Sequence, residues 1–114
     1  MKLIIALTLL ASFSASAGVE LYRKELNNVC TLKDNKLTRT IAVHYGQASV
    51  TTTQNAVVSG LDELAKKAHS LSTGRTMMEG YEMKVIVDGD EATLHSNDSM
   101  EAMSLMTLMS KLCN

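Results

Sequence analysis

The chain has 114 residues, 11 lysines and arginines against 12 aspartates and glutamates, a formal charge of −1 and no proline or tryptophan. A hydrophobic share of 46% is that of a globular chain rather than a disordered one. The length suits one domain, and the charge lacks the basic excess that nucleic acid or an anionic membrane requires of a main partner.

Residues 1–17, "MKLIIALTLLASFSASA", carry one lysine, an apolar run from Leu3 to Leu10 and small residues ending in Ala15-Ser16-Ala17. That is the layout of a secretory signal peptide. A membrane-spanning helix needs about 20 apolar residues, and Ser12 and Ser14 interrupt this run too early. Cleavage is expected after Ala17, leaving residues 18–114 as a single small exported domain, periplasmic or secreted, with no membrane anchor. Gly18 rather than cysteine follows the cleavage site, so no thiol stands there for a lipid. Cys30 and Cys113 are the only cysteines. An even count in an exported chain predicts that they form a disulfide.

The first segment after the leader, "VELYRKELNN" (residues 19–28), fits two periods: Val19, Tyr22 and Leu26 a helix, Val19 and Leu21 a strand. Residues 30–46 read as a hairpin around Asp34-Asn35, with Leu32 opposite Leu37 and with Leu37, Ile41, Val43 and Tyr45 sharing a face that also carries Arg39. The β-branched run "ASVTTTQ" predicts a further strand. A helical period then runs from Asn55 or Ser59 to Leu71, with Leu61, Leu64, Ala65, Ala68 and Leu71 on one face, Ser59 as its N-cap and Gly74 as its stop.

Residues 81–96, "YEMKVIVDGDEATLHS", form the clearest hairpin signal, because Asp88-Gly89 is a preferred two-residue turn. It pairs Val85 with Ala92, Met83 with Leu94 and Tyr81 with Ser96, and places Glu82 opposite His95 on the outer face. Asp98 with Glu101 gives a capping signal for a last helix. The expected fold is α+β: an antiparallel sheet of 4–5 strands, from two hairpins and a single strand, with two helices packed on one face and a Cys30–Cys113 disulfide. No linker or internal repeat divides it.

The final segment "SMEAMSLMTLMSKLCN" has a methionine at every third position from Met100 to Met109. At about 100° per residue such a stripe drifts round the helix, so the four thioethers cannot converge on one ion. Met106 and Met109 fall with Ala102, Leu105, Leu108, Leu112 and Cys113 on an apolar arc that predicts core packing. Met100 and Met103 fall instead beside Ser104, Thr107, Ser110 and Lys111. Together with Met77 and Met78 of the 73–80 loop they are the expected binding surface, since methionine adapts to varied partners.

His44 and His69 read as solvated surface residues. The sequence holds no HExxH, CxxC or Gly-x-Ser-x-Gly, and residues 88–91 lack the spaced oxygens of a calcium loop. No catalytic assembly, cofactor or metal site is therefore predicted. The expected function is that of a small exported, non-enzymatic binding or inhibitory protein with a protein partner. Two alternatives stay open: a periplasmic Cu(I)-binding protein using thioethers of Met100 and Met103 with Met77, Met78 or His95, and an enzyme whose class leaves no motif. The closing order of helix, hairpin with a "VDG" turn, aspartate and terminal leucine-rich helix resembles the layout of emfourin-type inhibitors of secreted metalloproteases. The resemblance spans about the last half of the chain and implies a protease inhibitor, with no reactive residue carried over.

Overall fold

In a computed structural model, residues 18–42 and 48–114 are described. The leader at 1–17, its cleavage site and the expectations for Val43, His44 and Tyr45 lie outside the described residues. The elements are β1 (Val19–Glu25), β2 (Asn28–Lys33), β3 (Lys36–Ala42), β4 (Ser49–Asn55), α1 (Leu61–Ser70), β5 (Tyr81–Val87), β6 (Asp90–Thr93) and α2 (Met100–Cys113). The strands form one antiparallel sheet in the order β4-β3-β2-β1-β5-β6. The fold is α+β with both helices on one face, and the sheet has six strands rather than 4–5.

The additional strand is the ambiguous first segment. It forms β1 in the centre of the sheet because its alternate residues Leu21 and Arg23 face the core while its edges pair with both β2 and β5. A two-residue turn at Leu26-Asn27 joins it to β2, with Glu25 opposite Asn28. The other two hairpins follow the expected registers. Leu32 meets Leu37 across Asp34-Asn35, whose positive φ angles of 51° and 62° give the twist that hairpin turns require. Val85 meets Ala92 across Asp88-Gly89, and the Leu94 N–H donates to the Met83 carbonyl at 2.8 Å.

On the helix side of the sheet, Val85, Leu21, Leu32 and Leu37 form one buried cross-strand row. The next row holds Met83, Arg23, Cys30 and Arg39. Ala65 and Ala68 of α1, with Ala102, Leu105, Met109 and Cys113 of α2, close over them. The Cys30–Cys113 disulfide, with Cα atoms 6.0 Å apart, ties the end of α2 to β2. Arg23 and Arg39 flank Cys30 in that row, which places cations where the negative end of the helix dipole is fastened. Away from the helices, β4 is exposed along its whole length, and its outer face pairs Thr53 with Thr38 and Thr51 with Thr40 through hydroxyl contacts at 3.4 and 3.1 Å.

Both helix starts differ from expectation. Gly60, not Ser59, occupies the N-cap of α1 and offers no side-chain cap, while Asp62 and Glu63 complement the dipole from the first turn. Ser99, not Asp98, caps α2, its Oγ accepting from the Ala102 N–H at 3.0 Å. Among the described residues no helix is long and apolar enough to cross a membrane.

Candidate functional site

A groove of about 660 Å³ opens between α2 and the loop that leads into β5. Its α2 wall is the strip Met103, Met106, Thr107 and Ser110, at the i, i+3, i+4, i+7 spacing of one helix face. The opposite wall is Met77, Met78 and Gly80, and the end is closed by Leu26 and Tyr81. Met78 and Leu26 are 72% and 74% exposed, so the rim offers large apolar side chains to solvent. Such a volume, with apolar lining and few polar groups, is within the range of ligand-binding clefts.

Local chemistry builds each wall. Asp98 clamps the loop: its Oδ1 accepts from the Thr73 hydroxyl at 2.5 Å and lies 3.5 Å from Arg75 Nη2, while its Oδ2 accepts from the His95 N–H at 3.0 Å. Burial alone would raise the Asp98 carboxyl; the Thr73 hydroxyl, the backbone N–H groups of His95 and Thr73 and the Arg75 charge outweigh it and hold the group below its ordinary 3.8. The Ser96 N–H donates to Met77 Sδ at 3.4 Å, which fixes that thioether. The Leu26 N–H donates to the Gly80 carbonyl at 3.0 Å, joining the β1–β2 turn to the loop. Leu26 itself has φ of 53°, in the left-handed region that a bulky side chain occupies only at a cost.

Arg23 lies at the floor of the groove and is 5% exposed. Its guanidinium carbon is 5.4 Å from the centre of the Tyr81 ring, and its Nη2 forms an ion pair with Glu25 Oε2. Its Nε and Nη1 have no hydrogen-bond partner among the described residues. A guanidinium cannot shed its charge, so these buried, unpartnered donors are costly.

Of the expected surface, Met77, Met78 and Met103 come together on this groove. Met103 is 49% exposed; Met100 is 84% exposed and is not part of the lining. Met106, placed in the core by its helical angle, is buried and also reaches the groove. Met109 is wholly core. Three features escaped sequence reasoning. Arg23 belongs to no motif, Leu26 enters only through a helical spacing with Val19 and Tyr22, and their meeting depends on β1 being central.

The histidines are placed differently from expectation. His69 Nε2 lies 3.0 Å from Asp90 Oδ2 on β6, at the edge of the sheet, and its side chain is half-buried rather than fully solvated. The β5–β6 ladder ends at Lys84 and Thr93, so Glu82 pairs with Lys84 at 3.6 Å, and His95 Nδ1 accepts from the Asn97 N–H. Among the described residues, no three His, Cys, Asp or Glu side chains group as a metal site. The chain matches no protein-family model, no curated protein and no solved structure. The groove is lined by thioethers and aliphatic side chains, with one buried cation, Arg23.

Proposed function

We propose that the protein is a small exported binding or inhibitory protein, not an enzyme, that holds a protein partner in the groove between α2 and the 73–80 loop. The observation that carries this reading is the convergence of Met77, Met78, Met103 and Leu26, from three separated stretches of chain, on one open apolar cleft. Exposed apolar side chains grouped round a cleft mark interaction surfaces, and methionine is suited to them. Export is supported by the leader-like residues 1–17 and agrees with the disulfide, which persists in oxidising compartments.

The test is photo-crosslinking from position 103 in the native envelope or medium, with position 100 as the control on the same helix outside the groove. A discrete adduct is expected from position 103 and not from 100, and a groove variant carrying Met78→Glu should lose it while melting normally. Equal adducts from both positions, or none, would remove the reading.

A second reading has one observation in its favour. Thioethers of Met77, Met78, Met103 and Met106 all border the groove, and such soft donors select Cu(I). Anaerobic Cu(I) titration separates the two: tight binding lost on Met77→Leu with Met103→Leu would favour the metal.

A further inference from the structure

The β1–β5 ladder runs one step past its strands. Val19 lies opposite Val87, and beyond that pair the Asp88 N–H donates to the Gly18 carbonyl at 2.8 Å. A regular antiparallel pair would return the bond to the backbone carbonyl. Here the Gly18 nitrogen donates instead to the side-chain Oδ1 of Asp88, at 2.9 Å. Asp88 opens the β5–β6 turn with φ of 52°, and Gly18 has φ of 114°, a backbone that favours glycine. Gly18 also borders a cleft of about 200 Å³ with Asp34 of the β2–β3 turn and Asp62 of α1. Lys33, which lines the same cleft, has its Nζ 3.8 Å from Glu20 Oε1. The surroundings of the Gly18 nitrogen are therefore richer in carboxylates than in cations, although a peptide N–H carries no charge.

We infer that Asp88 is the acceptor for the α-ammonium that leader removal creates at Gly18, so that processing completes the seam between β1 and β5. The expected cleavage after Ala17 falls at the residue where this ladder ends. Hydrolysis of the Ala17–Gly18 bond consumes one water and leaves a carboxylate on Ala17 and an amine on Gly18. That amine, with an ordinary pKa of about 7.7 to 8.0, takes up a proton at neutral pH. The contact with Asp88 Oδ1 then changes from a peptide N–H on a carboxylate to a pair of full opposite charges, with the partners already in place. A chain that still carries residues 1–17 has no charge at this nitrogen. Because β1 is a central strand, its start also aligns the β1–β4 meander with β5. The inference rests on the export reading above and is independent of what the groove binds.

The experiment uses the disulfide-bonded protein recovered from the envelope or medium of cells that express the full chain. Its intact mass is expected to be that of residues 18–114. Any other start overturns the inference and leaves the crosslinking test of the groove unaffected. Acetylation at about pH 6.5 then modifies the α-amine ahead of the lysines, whose ordinary pKa of about 10.4 keeps them protonated. Urea unfolding at that pH and low ionic strength compares the free and acetylated forms. Acetylation is expected to raise the unfolding equilibrium constant about two- to fivefold, the size of an exposed ion pair. At about pH 10 the free amine is neutral, so the two forms should unfold alike. Asp88→Asn keeps a side-chain oxygen and a residue suited to positive φ, and it should abolish the difference seen at the lower pH. No effect of acetylation at the lower pH, or the same effect at both, overturns the inference. An effect that survives Asp88→Asn overturns the role of Asp88. The comparison of the two pH values on the unsubstituted protein decides the matter even where that variant fails to fold.

Discussion

Asp98 shows how one carboxylate can govern a surface it does not itself line. Its contacts with Thr73, Arg75 and His95 hold the start of the loop whose later residues, Met77 and Met78, form a wall of the groove. The folded-state pKa lies below the ordinary 3.8. A group depressed in this way contributes stability above its unfolded value and loses it as pH falls through the folded value. The clamp is therefore complete at neutral pH and is expected to weaken as pH falls below 3.8. Amide exchange of residues 74–80 should accelerate in that window while β1 and β2 stay protected. Asp98→Asn should give fast exchange in the loop already at neutral pH, with little further dependence on acid. Protection unchanged by the substitution would show that the loop is held by something else. In the sequence Asp98 looked like a helix cap, because Glu101 stands three residues on. Ser99 takes that role instead, and nothing local signals that Thr73 and Arg75 will arrive from far along the chain.

At the scale of elements, the β1–β2 turn is the least comfortable piece of backbone and also a wall of the groove. Two-residue hairpin turns favour glycine or asparagine where φ is positive, yet Leu26 occupies such a position with φ of 53°. Leu26→Gly is expected to relieve about 1 kcal/mol of strain, seen as a raised urea midpoint. The same change should weaken partner binding by removing an exposed apolar contact. A variant that is both less stable and equally able to bind would refute the assignment. This turn also explains what could be read from the chain alone. Asp34-Asn35 and Asp88-Gly89 announce their hairpins by residue type, and the registers of Leu32 with Leu37 and Val85 with Ala92 follow. Leu26-Asn27 announces nothing, so β1 stayed ambiguous and the sheet came out one strand short. The helix methionines were sorted correctly by angle because α2 buries one continuous arc. Which of the outward pair meets the loop was not legible, since position 103 points at Met77 and Met78 and position 100 does not only once the tertiary fold exists.

At the scale of the molecule, two parts share one core and are tied together by one ladder and one bridge. The β1–β4 meander is the first part, and α1 leads to the second, β5, β6 and α2. They are joined by β1 pairing with β5 and by Cys30–Cys113, 83 residues apart in sequence. A bridge closing so long a loop restricts the unfolded chain strongly, and replacing both cysteines by alanine is expected to cost about 2 to 5 kcal/mol. Urea unfolding of that variant against the oxidised protein measures it, and an unchanged midpoint would show that the sheet and helices suffice alone. The central position of β1 has a kinetic consequence as well. Its pairing with β2 needs only the closing of a two-residue turn, whereas its pairing with β5 must bring Glu25 to Tyr81 across the meander and α1. Contacts between distant parts of a chain form slowly because loop closure precedes any reward. During refolding, pulse-labelled amides of β2 and β3 are accordingly expected to gain protection before those of β5. Leu26 and Arg23 come from the early part, Met78 and Met103 from the late one. The groove is then the last surface to come into being, and a partner that seeks it meets only chains that have finished folding.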